Sequence, residues 1–225
     1  MVSPVKAWSY SRYETYARCP LQFKLRYIDK LEEPKSPAME RGNVIHQGIA
    51  RWLTGMAEAL PREAFALPRM EALLLEVRAI PDADKMVEQQ WGYNASWAPT
   101  GWFGKDTWFR SVLDVGVMYA DLTFEALDWK TGKRYGSNDD QMETQALAAK
   151  ARLKATQHIT TRLVYLDSGH EEFAEFPAHV IPSLQTKWES KVAPMFVDEV
   201  FAPRPNDKCR FCHFSRSNGG PCAFG

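Results

Sequence analysis

The sequence predicts an α/β fold with a central mixed sheet flanked by helices. Three observations predict it. Helical spacing dominates the first ninety residues. The period then changes to strand alternation over "FRSVLDVGVMY" and "LTFEALDWK". After that, helix and strand take turns: "DDQMETQALAAKARL", then "TRLVYL" and "EEFAEFPAH", then "IPSLQTKWESKVAPMF". A chain of 225 residues that is 45% hydrophobic can build one good core plus a small appendage. Its 28 basic residues balance its 28 acidic ones, so no global charge marks a nucleic-acid binder, and any phosphate-binding patch must be local.

The elements follow in order. Ser9 or Ser11 opens the first helix, and Ser11-Arg12-Tyr13-Glu14 fits a capping box. The helix runs to about Arg18, Cys19-Pro20 breaks it, and Pro20 opens the next one, with Leu21, Leu25 and Ile28 on one stripe. "EEPKSP" is a loop. "MERGNVIHQGIARWLTGM" carries Ile45, Ile49, Trp52, Leu53 and Met56 at helical spacing, with His46 at the stripe's edge. Residues 61 to 90 read as helix in two pieces, broken near Ile80-Pro81, and "WGYNASWAPTGWFG" reads as an aromatic, glycine-rich loop. Asp167-Ser168-Gly169-His170 is the turn between the last two strands. The tail "FAPRPNDKCRFCHFSRSNGGPCAFG" has little apolar material for a core of its own. No run of about 18 apolar residues is present to span a membrane, and the N-terminus lacks an apolar signal-peptide core, so the expected location is the cytoplasm.

Strand periodicity singles out a charged constellation. Residues two apart on a strand share a face, so Asp128 and Lys130 point the same way. Asp114 lies between Leu113 and Val115 in the preceding strand, where a carboxylate is costly unless paired or bound to a cation. Carboxylates converging on one point repel, and a divalent ion such as Mg²⁺, taking one or two of them, removes the conflict. A lysine beside that ion can position a nucleophile and offset charge on a phosphoryl group. Taken singly, each of these residues is more ordinary as solvated surface; it is the combination that points to chemistry.

The four cysteines form a second constellation. Cys209-x-x-Cys212 is followed, after nine intervening residues, by Cys222, and Cys19 stands near the other terminus. In a cytosolic chain these are not expected to be disulfides. A redox pair normally opens a helix after a strand, which this loop-rich context does not offer. Four thiolates suffice for zinc or for a 4Fe–4S cluster, and His213 offers zinc an alternative ligand, so spacing alone leaves both metals open.

"VLD" followed by "LDWKTGK", with "RGNVIHQGI" upstream and "QMETQAL" downstream, resembles the PD-(D/E)XK nuclease superfamily in its RecB-like branch. The resemblance implies a restriction-endonuclease-like core and a metal-dependent deoxyribonuclease, most simply an exonuclease acting on DNA ends or single strands in recombination, repair or replication. It implies that Asp114 and Asp128 hold a catalytic Mg²⁺ or Mn²⁺, with His46 and the backbone carbonyl of Trp129 as further ligands. Lys130 would act on the attacking water, and Gln141 would orient the lysine or the water. Gln145 stands where that branch usually carries tyrosine. Cys19-Pro20 at the front and three cysteines at the back resemble the AddB and CRISPR-associated exonuclease types, which favours a 4Fe–4S cluster over zinc on Cys19, Cys209, Cys212 and Cys222.

The expected organisation is a single nuclease domain over 1–225. Its core would lie at about 37–200, and the four-cysteine cluster would join the N-terminal helices 9–31 to the tail 201–225. DNA contacts are expected among Lys130, Lys133 and Arg134, among Arg12, Arg18, Lys24 and Arg26, and among Lys208, Arg210 and Arg216. Trp91, Tyr93, Trp97, Trp102, Phe103 and Trp108 are either a base-stacking surface or a packed lid. No G-x-x-x-x-G-K-[ST] motif is present, so DNA would come as accessible ends or from a recombination or helicase partner. The rival readings are a non-catalytic nucleic-acid-binding module of the same fold and a zinc-stabilised interaction protein.

Overall fold

The structure is a computed structural model that describes residues 3–34, 36–61, 68–133, 136 and 138–225. The backbone gathers into two units, Met1–Pro34 with Thr186–Gly225, and Lys35–Gln185.

The larger unit holds a six-stranded mixed sheet. Its strands are β1 (Lys85–Tyr93), β2 (Pro99–Thr100), β3 (Phe109–Met118), β4 (Thr123–Lys130), β5 (His158–Tyr165) and β6 (His170–Pro177), in the order β2-β1-β3-β4-β5-β6. All neighbours are antiparallel except β4 and β5, which the crossover helix α5 (Asp139–Arg152) joins in parallel. Helices α3 (Pro37–Leu53) and α4 (Pro68–Ala79) cover one face. There Ile45, Ile49, Trp52 and Leu74 pack on Val115, Leu127 and Trp129, all buried. Each such side chain contributes about 1.5–3 kcal/mol by leaving water. On β4 the next residue, Asp128, faces the opposite side and meets α5. More than half of that helix is buried, and its alanines 146, 148, 149 and 151 let it sit close to the sheet.

Ser36 caps α3 by accepting from the Met39 amide, and Pro37 supplies the first helical residue, so this helix starts earlier than its apolar stripe suggests. A larger correction concerns residues 61–90. Helix α4 ends at Ala79, just before Pro81, and Lys85 begins a strand that pairs with β3 across eight positions. The Lys, Glu and Gln content of "KMVEQQW" favours helix locally, but long-range pairing overrides that preference. Residues 62–67 of the reading lie outside the described residues. Trp91 and Tyr93, read as loop, are buried in β1, where the Tyr93 hydroxyl donates to the Ala148 carbonyl at 2.6 Å.

In the smaller unit, α1 (Tyr10–Arg18) is capped by Ser9, whose hydroxyl accepts from the Arg12 amide at 3.4 Å. Ser11 lies inside the helix, so no capping box forms on Ser11 and Glu14. Helix α2 (Pro20–Phe23) runs on into a π-helical turn, Lys24–Ile28, and α6 spans Ile181–Val197. Trp8 and Trp188 stack with centroids 5.4 Å apart, and Phe23 stacks on Phe201 at 6.1 Å. The tail does contribute to a core: Phe201 and Phe214 are both buried. Among the described residues no helix is long and apolar enough to cross a membrane.

Gly116 faces Ala126 across β3 and β4, and a Cβ on it would lie 2.4 Å from Cζ of the fully buried Phe124. Gly116→Ala should therefore cost about 1–3 kcal/mol of stability. Urea unfolding checks this, and an unchanged midpoint would mean that β3 and β4 do not approach so closely.

Candidate metal centre

The site grows out of a fork in the sheet. Strands β3 and β4 pair from Met118↔Phe124 to Val115↔Leu127, and there the pairing stops. One step further the register sets Asp114 across from Asp128. Strand β3 continues alongside β1 alone, and β4 continues to Lys130 alongside β5 alone. Inside the fork the Trp129 amide donates to Asp114 Oδ2 at 2.9 Å, so the carboxylate takes the bond a strand carbonyl would have taken. Both aspartates are under one-tenth exposed.

The predicted residues meet here. His46 Nδ1 of α3 lies 3.2 Å from Asp114 Oδ2. The Lys130 ammonium lies 2.5 Å from Asp128 Oδ2, a contact of charges rather than an aligned hydrogen bond. Gln141 Nε2 donates to Asp128 Oδ1 at 2.9 Å. Gln145, one turn on, donates to the same oxygen at 3.0 Å, so the residue standing in place of tyrosine is a second holder of the carboxylate. For Trp129 the structure describes a buried indole and the amide bond to Asp114.

Sequence reasoning missed one residue, Glu88. It sits opposite Asp114 in the β1–β3 register, between Val87↔Val115 and Gln89↔Leu113, with a left-handed φ of 49°. Holding a non-glycine residue there costs about 1–2 kcal/mol. Its carboxylate, His46 and Asp114 offer ligand atoms that all lie within 4.8 Å of one another. Asp128 stands outside that trio, engaged by Lys130 and the two glutamines. One signal lay in the sequence: an acid in a segment that ends in Trp91 and Tyr93, both good strand formers.

The electrostatics fit a cation. Burial drives the Asp128 carboxyl upward; the Lys130 charge pulls it back, Asp114 pushes again, and it ends above its ordinary value. Glu88 is raised by burial and then by Asp114. Burial works against charge on His46, but the hydrogen bond to Asp114 and the charges of both aspartates outweigh it, so the imidazole is held above its ordinary pKa. Lys130 likewise keeps its proton, because Asp128 outweighs the cost of burial. Each shift expresses a demand for positive charge. With one imidazole and three carboxylates on hand, the donors suit a hard divalent ion taking oxygen and nitrogen ligands.

Two glycines explain the short motifs around the site. A Cβ on Gly42 would approach the Thr131 hydroxyl to 3.2 Å, so glycine lets α3, and with it His46, lie close to the end of β4. Gly132 has φ of +89°, a left-handed turn directly after Lys130 and Thr131. Its amide donates to Asp167 Oδ2 at 2.6 Å, and Arg41 Nη1 donates to the same oxygen at 2.9 Å. Asp167 thus ties α3, the end of β4 and the β5–β6 turn together. The hydrogen bond from Arg41 and then the Gly132 amide hold its carboxyl below the usual range. Of the expected DNA contacts nearby, Lys133 is exposed, and Arg134 lies outside the described residues.

In the smaller unit, Cys19, Cys209, Cys212 and Cys222 line one cavity of about 280 Å³. The Arg204 amide points at the Cys19 sulfur at 3.4 Å, and the Asn206 amide at the Cys209 sulfur at 3.3 Å. Burial raises the Cys212 thiol, the Phe214 amide lowers it, and the other three sulfurs raise it again, so all four lie within electrostatic reach. His213 is exposed and does not line the cavity. The cavity is thus lined by four sulfurs, two of which, Cys19 and Cys209, accept from backbone amides.

Residues 7–217 match the sequence model of the PD-(D/E)XK nuclease superfamily, and the chain belongs to that superfamily. No curated protein matches it. Among solved structures it is similar to SSO0001, with 13% identity, TM-score 0.47, and coverage of 93% of this chain and 84% of that one. It is also similar to a Eubacterium rectale protein named provisionally as an exonuclease, with 13% identity, TM-score 0.47, and coverage of 92% and 87%.

Gln145 is buried and its carboxamide nitrogen reaches Asp128. Gln145→Ala leaves Asp128 Oδ1 one donor, Gln141, and should lower divalent-metal affinity or turnover by about 10–100-fold. A Mn²⁺ titration compared with the wild type measures it. Wild-type values would show Gln145 to be a packing residue only.

Proposed function

We propose that the protein is a Mg²⁺- or Mn²⁺-dependent deoxyribonuclease of the RecB-like branch, acting as an exonuclease on DNA ends in recombination, repair or replication. The observation that carries this reading is the fork: Asp114 and Asp128 stand on its two arms, with His46 and Glu88 beside the first and Lys130 beside the second. When bound, a divalent cation supplies Lewis-acid polarisation of the phosphodiester and an acidic water able to attack at neutral pH. His46, Glu88 and Asp114 would hold it, with Asp128 and the Trp129 carbonyl completing the set. The protein's own groups do the rest. Lys130, still protonated, places positive charge where the phosphoryl oxygens gain negative charge, and Asp128 fixes its direction. Gln141 and Gln145 fix Asp128. The products are a phosphomonoester and a free hydroxyl, from one water and one P–O bond.

For the smaller unit the reading is a 4Fe–4S cluster on Cys19, Cys209, Cys212 and Cys222, with zinc as the alternative. Support comes from the four-sulfur donor set and its amide hydrogen bonds. Metal affinity would then contribute directly to folding of this unit, linking Cys19 to sulfurs about 190 residues away.

End-labelled DNA incubated with anaerobically purified protein, with and without chelator, tests the catalytic reading. Digestion is expected in Mn²⁺ or Mg²⁺ and not in chelator, and Lys130→Ala should lower its rate by about 10²–10³-fold. Wild-type protein that leaves the label intact in both metals sinks the nuclease reading. The cluster has its own test. The purified protein should be brown and hold iron and sulfide at about four each per chain, and Cys212→Ser should lose the colour and melt several degrees lower. A colourless wild type holding zinc would transfer the site to the alternative metal.

A further inference from the structure

The aromatic segment between β1 and β3 divides in the structure. Trp91, Tyr93, Trp97 and Phe109 are buried. Phe103 is 83% exposed, and Trp102 beside it is half-buried. A tight turn presents the pair: the Gly101 carbonyl accepts from the Gly104 amide at 3.0 Å and from the Thr107 hydroxyl at 2.8 Å. The Arg110 guanidinium carbon lies 5.4 Å from the centroid of each ring. Its Nε is buried and has no hydrogen-bond partner among the described residues.

Arg110 is the second residue of β3, and strand alternation puts it on the same side as Val112 and Asp114. Val112 is 44% exposed and lines, with His46, Glu88 and Asp114, an open groove of about 540 Å³. Arg110 stands four residues from Asp114, roughly 13 Å along the strand. Arg110 and the two rings beside it thus lie one same-side position beyond Val112, the groove's residue on β3.

We propose that Trp102, Phe103 and Arg110 form a stacking platform for an unpaired base of a DNA strand whose scissile phosphate lies at the fork. The inference rests on the nuclease reading and deepens it by naming single-stranded DNA, or a frayed end, as the preferred substrate. An aromatic face accepts any base, so the platform gives grip without sequence preference. Arg110 adds attraction for the phosphates on either side of the stacked base. A paired base keeps its faces against its neighbours and cannot use the rings, so the platform discriminates against intact duplex.

The test measures anisotropy of a labelled oligothymidine of about 12 nucleotides, and of a blunt duplex of equal length, with the full chain in chelator. Digestion in Mn²⁺ is followed in parallel. Phe103→Ala, at an exposed position, should keep the wild-type melting temperature and weaken single-strand binding by about 5- to 100-fold. Phe103→Trp should restore it, and duplex binding should move by less than about twofold. Single-strand affinity unchanged in Phe103→Ala, or an equal loss on duplex, overturns the platform while leaving digestion by the wild type in place. Failure of the wild type to digest sinks the nuclease reading instead, and the anisotropy comparison still decides the platform.

Discussion

The fork between β3 and β4 is the constraint on which the rest of the site depends. A continuous sheet would have given the Trp129 amide a strand carbonyl and left no room for ligands. Parting the strands lets the Asp114 side chain take that amide and puts Asp128 opposite it. The arrangement gathers like charges. Asp114 raises the carboxyls of both Asp128 and Glu88, the sign of that repulsion. His46 offsets this for Asp114 and Lys130 for Asp128. Glu88, held in a left-handed conformation beside them, has no such partner in the trio beyond the shared imidazole. A divalent cation is the partner that such a set of donors lacks.

Positioning comes from residues that touch no ligand. His46 reaches Asp114 because Gly42 lets α3 lie against Thr131, and Lys130 has a fixed direction because Gly132 turns the chain sharply behind it. Asp167 closes this arrangement, accepting from α3 through Arg41 and from the Gly132 amide at one oxygen. These contacts explain why a Gly-x-x-x-His stretch and a Lys-Thr-Gly stretch, nearly ninety residues apart in the chain, belong to one site.

Much of this was legible in the sequence because it obeys short periods. Strand alternation puts Asp128 and Lys130 on one side, helical spacing puts His46 at the edge of a core stripe, and the strand pair that carries both aspartates stands out by its β-branched residues. Glu88 was not legible in that way. Its strand has helix-favouring residues and exists because β3 pairs with it, and its side chain points to the site through a backbone conformation no pattern reveals. The aromatic segment had two readings for a similar reason. Spacing does not tell a buried Trp91 from an exposed Phe103; the difference arises only when one lies within a paired strand and the other at the tip of a turn.

The two aspartates come from adjacent strands and have similar burial, yet their surroundings divide the work. Asp114 faces His46 and Glu88, in a set of donors that all reach one point. Asp128 spends one oxygen on two glutamines and holds the other against an ammonium. Burial holds its carboxyl above the ordinary value, and the charges of Lys130 and then His46 pull against that rise. On the proposed mechanism, then, Asp114 belongs to the cation first, and Asp128 to the lysine first. Replacing either by its neutral isostere, asparagine, removes different things, a ligand in one case and the anchor of the charge beside the phosphate in the other. That difference follows from what each oxygen touches, and from nothing in the spacing of the two residues along the chain.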